Sequence, residues 1–242
     1  MPASLASAKY RFPAKLIKGA LLKRYKRFLA DVLLPDGQTI VAHCPNSGAM
    51  TGCAHPGMEI ALSYNPAPKR RTAYTWQLST AENSLICVNT GLANHLIYAA
   101  ATSKTGRFFQ DAAMVKPEVK VSGHSRLDLL VEDASGQKLY AEIKSVTLRQ
   151  GNIAMFPDAI TSRGARHLQE LEALKACGHR ALILFLVNRE DVEGFAPARH
   201  IDPAYAKALQ RALSRGVEML VWQCKVSLEG LELWRELPWQ LD

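Results

Sequence analysis

The sequence predicts an all-β module followed by an α/β domain with a mixed central sheet. Short strands separated by turn residues fill the first third of the chain. After about residue 85, helical periodicity alternates with apolar strands. Residues 181–187, ALILFLV, are apolar throughout, as a strand buried on both faces requires. At 242 residues the chain accommodates one large domain or two small ones. The boundary falls between 1–82 and 83–242.

In the first module, residues 28–34 form a strand, 35–38 a turn around Gly37, and 39–43 the returning strand. Residues 59–64 form another. Small barrels of this kind bind oligonucleotides on one face. Basic residues interleave with aromatic ones here: Arg24, Tyr25, Lys26 and Arg27 first, then Lys69, Arg70, Arg71 and Tyr74. Charges of this sort follow a phosphate backbone while rings stack on bases. Tyr25 and Tyr74 are the candidate stacking rings, and 65–71 reads as an exposed basic loop. His43, Cys44, Cys53 and His55 are spaced closely enough to raise a zinc site, but adjacent ligands fit tetrahedral geometry poorly.

In the second domain, Asn89 or Thr90 starts a helix through Leu92, Leu96 and Ala100. Residues 118–121 are a first strand. Residues 125–132 and 138–146 then form a hairpin across a turn containing Gly136. Leu168, Leu171 and Leu174 mark a helix starting near Arg163, with Ser162 a cap candidate. Asp158 caps that helix or belongs to the loop before it, the readings preferred over an approach to a metal site. A helix from Pro203 to about Ser214 ends near Gly216, and residues 218–226 form a late strand.

The chemistry concentrates on the hairpin. Side chains alternate faces along a strand, so Glu142 and Lys144 share one face while Ile143 points into a core. Pairing of the two strands brings Asp128 beside Glu142. Mg²⁺ takes carboxylate, carbonyl and water oxygens, usually with one or two carboxylates. Asp128, Glu142 and the main-chain carbonyl of Ile143 make such a set for Mg²⁺ or Mn²⁺, with Glu118 a further candidate ligand. Lys144 is placed to neutralise charge on a phosphate or to position water. Arg163, Arg166 and His167 lie at a helix start, an end that favours anions.

The acid, Glu-x-Lys and following helix resemble the PD-(D/E)xK nuclease superfamily. The whole chain more closely resembles the sugar fermentation stimulation protein family. The matching stretches are Arg24-Tyr25-Lys26-Arg27-Phe28, Ala42-His43-Cys44-Pro45-Asn46-Ser47-Gly48-Ala49-Met50, Tyr74-Thr75-Trp76, Val88-Asn89-Thr90 and Ala93-Asn94. They continue with Arg126-Leu127-Asp128, Glu142-Ile143-Lys144, Phe156-Pro157-Asp158-Ala159 and Arg163-Gly164-Ala165-Arg166-His167-Leu168. The resemblance implies an OB-like barrel joined to a nuclease-like domain, and DNA as partner. It leaves open a metal-dependent phosphodiesterase at Asp128, Glu142 and Lys144, or a non-catalytic DNA-binding regulator linked to sugar (maltose) metabolism. Relatives carry a glutamate in the helix after Ala93-Asn94, near Ala99, where this chain reads Tyr98-Ala99-Ala100-Ala101.

Charge and composition narrow the partners. The net charge is +8. Residues 1–75 carry 11 Lys and Arg against 3 Asp and Glu, and the remainder 19 against 19. A basic module beside a neutral one suits a polyanion, bound largely without sequence preference. No apolar run is long enough to span a bilayer, the start lacks the pattern of a signal peptide, and five cysteines without a C-x-x-C pair fit a reduced cytoplasm. Oligomeric state stays open, a homodimer included.

Overall fold

A computed structural model describes residues 8–68, 70–82, 84–121 and 125–241. Its first strand, β1 (Lys9–Arg11), belongs to the large sheet of the second half. The barrel follows as β2 (Ile17–Tyr25), β3 (Leu29–Leu33), β4 (Thr39–His43), β5 (Glu59–Tyr64), β6 (Tyr74–Ala81) and β7 (Ser84–Cys87). Their order is β4-β3-β2-β5-β6-β7, and a parallel pairing of β4 with β6 closes a five-stranded barrel. This is the expected OB-like module. Alternation fills its interior with Leu21, Val32, Ala42, Ile60, Leu62 and Trp76, all fully buried. β7 carries the barrel sheet to Cys87, beyond the boundary drawn at residue 82.

The second half runs α1 (Gly91–Thr102), β8 (Ala112–Lys120), β9 (Arg126–Asp133), β10 (Lys138–Val146), β11 (Leu148–Gln150) and β12 (Ile153–Phe156). Then come α2 (Ser162–Ala176), β13 (Arg180–Val187), β14 (Gly194–Pro197), α3 (Pro203–Ser214), β15 (Glu218–Val226) and β16 (Gly230–Glu236). The central sheet has the order β1-β16-β15-β13-β10-β9-β8 and is mixed, with β10, β13 and β15 parallel. This is the expected α/β domain with a mixed central sheet. A small sheet β11-β12-β14 lies apart from it.

Period-two alternation on β13 explains the layering. Leu182, Leu184 and Leu186 face one core with α1 residues Leu92, Leu96 and Ile97. Ile183, Phe185 and Val187 face the other with Leu168 and Leu171 of α2 and Leu209 of α3. The β9–β10 hairpin turns through Gly136, whose φ of 83° is easy only for glycine. Its register sets Ala141 opposite Leu129, which leaves Glu142 next to Asp128.

Candidate functional site

Asp128 is the third residue of β9 and Glu142 lies mid-β10, so the hairpin alone brings the two acids together. Asp128 Oδ2 accepts from the Ile143 amide at 2.8 Å, and Oδ1 accepts from Asn94 Nδ2 at 2.9 Å. Asn94 projects from α1, which makes α1 part of the site. Ala99, near the position where relatives are expected to carry a glutamate, packs against the core. Glu118 stands apart: it is exposed and paired with Arg126 at 2.7 Å.

Glu142 is 3% exposed. Its Oε1 accepts from Lys144 Nζ at 2.5 Å and meets His167 Nδ1 of α2. Arg163 Nε donates to His167 Nε2 at 3.3 Å. An arginine only donates, so Nε2 is the acceptor and Nδ1 is the nitrogen that donates to Glu142. The other carboxylate oxygen, Glu142 Oε2, is buried and has no hydrogen-bond partner among the described residues.

The two acids are shifted in opposite directions. Burial, then the adjacent Glu142 charge, pushes the Asp128 carboxyl above its ordinary value, against the pull of the Ile143 amide, Lys144 and Asn94. Burial also pushes Glu142 upward, but the His167 hydrogen bond and the Lys144 charge outweigh it and hold Glu142 below the usual range.

An orphaned buried carboxylate oxygen beside a second carboxylate fits a cation. Among the described residues no three His, Cys, Asp or Glu side chains gather as a metal cluster. Two carboxylates offer oxygen donors of the kind a hard divalent cation takes.

These groups open into a cleft of about 510 Å³ between barrel and α/β domain. Arg27, Asn46 and Gly48 line it from the barrel, and Lys144, Asp158 and Arg163 from the other side. Arg27 adopts a φ of 65°, and Lys26 before it a φ of 47°. Asn46 shapes the barrel loop: its Oδ1 accepts from Gly48 N at 2.8 Å, and its Nδ2 donates to the Val88 carbonyl. Asp158 Oδ2 then accepts from the Met50 amide at 2.9 Å and joins the two halves. It does not cap α2. Thr161 does, accepting from Gly164 N at 3.1 Å, and Ser162 is the first helical residue.

The other sequence candidates separate into groups. Arg24 is committed to the carbonyls of Arg27, Asn46 and Ala49, where it braces the cleft loop. Tyr25 donates to Asp31. Arg70 donates to Thr75, Arg71 is exposed, and Lys69 lies outside the described residues. Tyr74 pairs its ring with Tyr64 at 4.9 Å. Arg166 is exposed on α2 outside the cleft lining, and His167 is a buried partner of Glu142 rather than an exposed cation. Cys44 and Cys53 are packed in the barrel core, and burial pushes the Cys53 thiol to about 12. The sequence reading missed Asn94, Asn46, Gly48 and the Thr161 cap as parts of the site. Asn94 and the Asn46-Ser47-Gly48 turn were visible within motifs, but nothing in the sequence tied them to Asp128.

Comparison with known proteins agrees with this architecture. Residues 22–88 match the SfsA N-terminal OB domain, and residues 91–230 match the sugar fermentation stimulation protein RE domain. A sugar fermentation stimulation protein homolog of Rhodospirillum centenum is 46% identical over 228 residues, 94% of this chain and 98% of that protein. The homolog of Geobacter sulfurreducens is 43% identical, covering 93% and 97%. The structure of Pyrococcus furiosus SfsA in complex with Ca²⁺ superposes with a TM-score of 0.88 at 27% identity, covering 96% of this chain and 98% of that one. No helix among the described residues is long and apolar enough to cross a membrane.

Proposed function

The chain belongs to the sugar fermentation stimulation protein family, and from that premise we propose a DNA-binding protein, largely indifferent to sequence, that hydrolyses phosphodiesters at Asp128, Glu142 and Lys144. The observation that carries the reading is the buried Oε2 of Glu142, without a hydrogen-bond partner among the described residues, beside Asp128 at the floor of a cleft edged by Arg27, Lys144 and Arg163. Two carboxylates at the floor and cations at the edge fit a phosphate held over a divalent ion. The Ca²⁺ in the Pyrococcus furiosus relative supports a cation of this kind here, Mg²⁺ or Mn²⁺ being the working ion.

Asp128, Glu142 and the Ile143 carbonyl would hold the ion. When bound, it would supply electrostatic stabilisation of the charge that builds on the phosphate. The remaining work falls to side chains. His167 orients Glu142 by occupying Oε1 and leaves Oε2 for the ion. Lys144 lies between Glu142 and the cleft and neutralises charge developing on the phosphate. Arg27 and Arg163 bind flanking phosphates and fix the strand over the acids. The basic barrel draws the polyanion in. Five free cysteines, four of them buried, fit work in the cytoplasm.

The test is cleavage of labelled single- and double-stranded DNA with Mg²⁺ or Mn²⁺, beside Asp128→Ala and Glu142→Ala proteins. Metal-dependent cutting lost in both variants supports the reading. One observation favours a second reading: α1 offers the amide of Asn94, not a carboxylate, to Asp128. A protein that binds DNA without cutting under either metal would be a regulator on the same fold, in keeping with the sugar fermentation name its relatives carry.

A further inference from the structure

A second groove begins where the cleft ends. It holds about 1040 Å³ between α1 and the edge strand β8, and it shares Gly91, Asn94 and Asp128 with the first cleft. Asp128, with Asn94 and Gly91, therefore walls both cavities, and the groove starts at the acid pair. The lining is cationic and aromatic. Lys116, Lys120 and Arg126 are all exposed, and Glu118 and Asp128 are the acids that line the groove with them. Arg126 spends its charge on Glu118 at 2.7 Å, while the two lysines have no ion pair among the described residues. Opposite them, Tyr98 projects from α1 with 38% of its surface exposed. A buried core offers Tyr98 no role, since Leu96, Ile97 and Ala100 make the apolar face of this helix.

We infer that this groove carries a single-stranded nucleic acid segment away from the acid pair, with Tyr98 stacking on an unpaired base and Lys116 and Lys120 on its phosphates. The inference rests on the proposed function of the cleft and adds its substrate form. An exposed ring facing two cations presents a π face and a phosphate track together, and only unpaired bases can use the former. In a duplex the base faces are already stacked, and only the phosphates remain available. The β8 backbone bends here: Pro117 cannot donate to the sheet and Glu118 takes a φ of 51°. Residues 116–120 of this strand form the groove wall.

The experiment measures fluorescence anisotropy of a labelled 20-nucleotide single strand and of its fully paired duplex, with Ca²⁺ present, over a salt series. The proteins are wild type, Tyr98→Ala, Tyr98→Phe, the double variant Lys116→Ala with Lys120→Ala, and Arg27→Ala. We expect Tyr98→Ala to weaken single-strand binding about tenfold and Tyr98→Phe to keep it. The double lysine variant should lower the single-strand salt slope by about 1.4, as two lost phosphate contacts require. Duplex binding should hold in these three variants and fall in Arg27→Ala. If the groove variants leave single-strand binding intact while Arg27→Ala weakens it, the groove is overturned and the cleft stands. Equal losses on strand and duplex overturn the single-strand assignment. Absence of binding to either DNA by the wild type overturns both the groove and the cleft reading.

Discussion

Replacing Gly48 by alanine should break the joint between barrel and α/β domain through one atom. A Cβ on Gly48 would lie 2.5 and 2.6 Å from the two carboxylate oxygens of Asp158, where real Cβ contacts stay beyond 3.0 Å. The carboxylate must then retreat by about half an ångström, away from the Met50 amide that it holds at 2.9 Å. Met50 is 1% exposed, so water cannot readily replace the acceptor. Losing a hydrogen bond to a charged group costs about 2 kcal/mol. For a protein of this size that lowers Tm by roughly 4–8 °C. Asp158→Ala should cost a similar amount, for it removes the same acceptor. The two changes should not add: without the Asp158 carboxylate, the new Cβ has nothing to displace. The double variant should match Asp158→Ala alone, with a coupling of about 2 kcal/mol. Urea unfolding of the four proteins measures this. Additive losses would refute the argument, since they would place the cost of Gly48→Ala in its backbone rather than in Asp158.

His167→Ala should weaken Ca²⁺ or Mn²⁺ binding about 10–100-fold by calorimetry, because Glu142 loses the partner that fixes its carboxylate; unchanged affinity would remove His167 from the site. Arg27→Ala should lower the slope of log binding constant against log salt by about 1 on duplex DNA, and a slope equal to wild type would place Arg27 off the phosphate path. Asp191→Asn should destabilise by about 3 kcal/mol in chemical denaturation, because Arg189 is 3% exposed and loses both carboxylate contacts. Burial pushes the Asp191 carboxyl up, but Arg189 and Arg149 outweigh it and hold it below the ordinary value. A lowered folded value means stability that is present above the unfolded carboxylate value and lost as pH falls through the folded one. The wild type should therefore lose this contribution below about pH 4, and the gap between wild type and Asp191→Asn should close there. A gap constant down to pH 2 would contradict it.

The sequence was most legible where a local pattern also had a tertiary reason. Residues 59–64, 138–146, 203–214 and 218–226 were read to their ends because each is an apolar or helically spaced run long enough to show its own pattern. The short strands escaped for the same reason. β1, β11 and β14 are three or four residues long, too short for periodicity; β1 and β14 exist because distant partners supply their hydrogen bonds, and β11 because β12 folds back on it. β16 resembles other charged, aromatic stretches, with Lys225 and Arg235 flanking the Trp234 ring, until β15 pairs with it.

The candidate site divides along the same line. Asp128 and Glu142 belong to one hairpin, so alternation and a turn glycine were enough to bring them together. Arg27, Gly48, Asn94 and His167 reach the same cleft from a barrel turn, a barrel loop and two helices. No local rule specifies that convergence; it follows from how the barrel docks on the sheet and how α1 and α2 cover opposite faces of it. Arg24 illustrates the consequence. It was chosen as a phosphate contact because it stands in a basic run, yet its guanidinium holds the carbonyls of the loop that carries Gly48. A basic residue in sequence is only a donor without an address. In this fold the internal carbonyls claim Arg24 first, and the neighbouring Arg27, set at a positive φ, is the one turned toward the cleft.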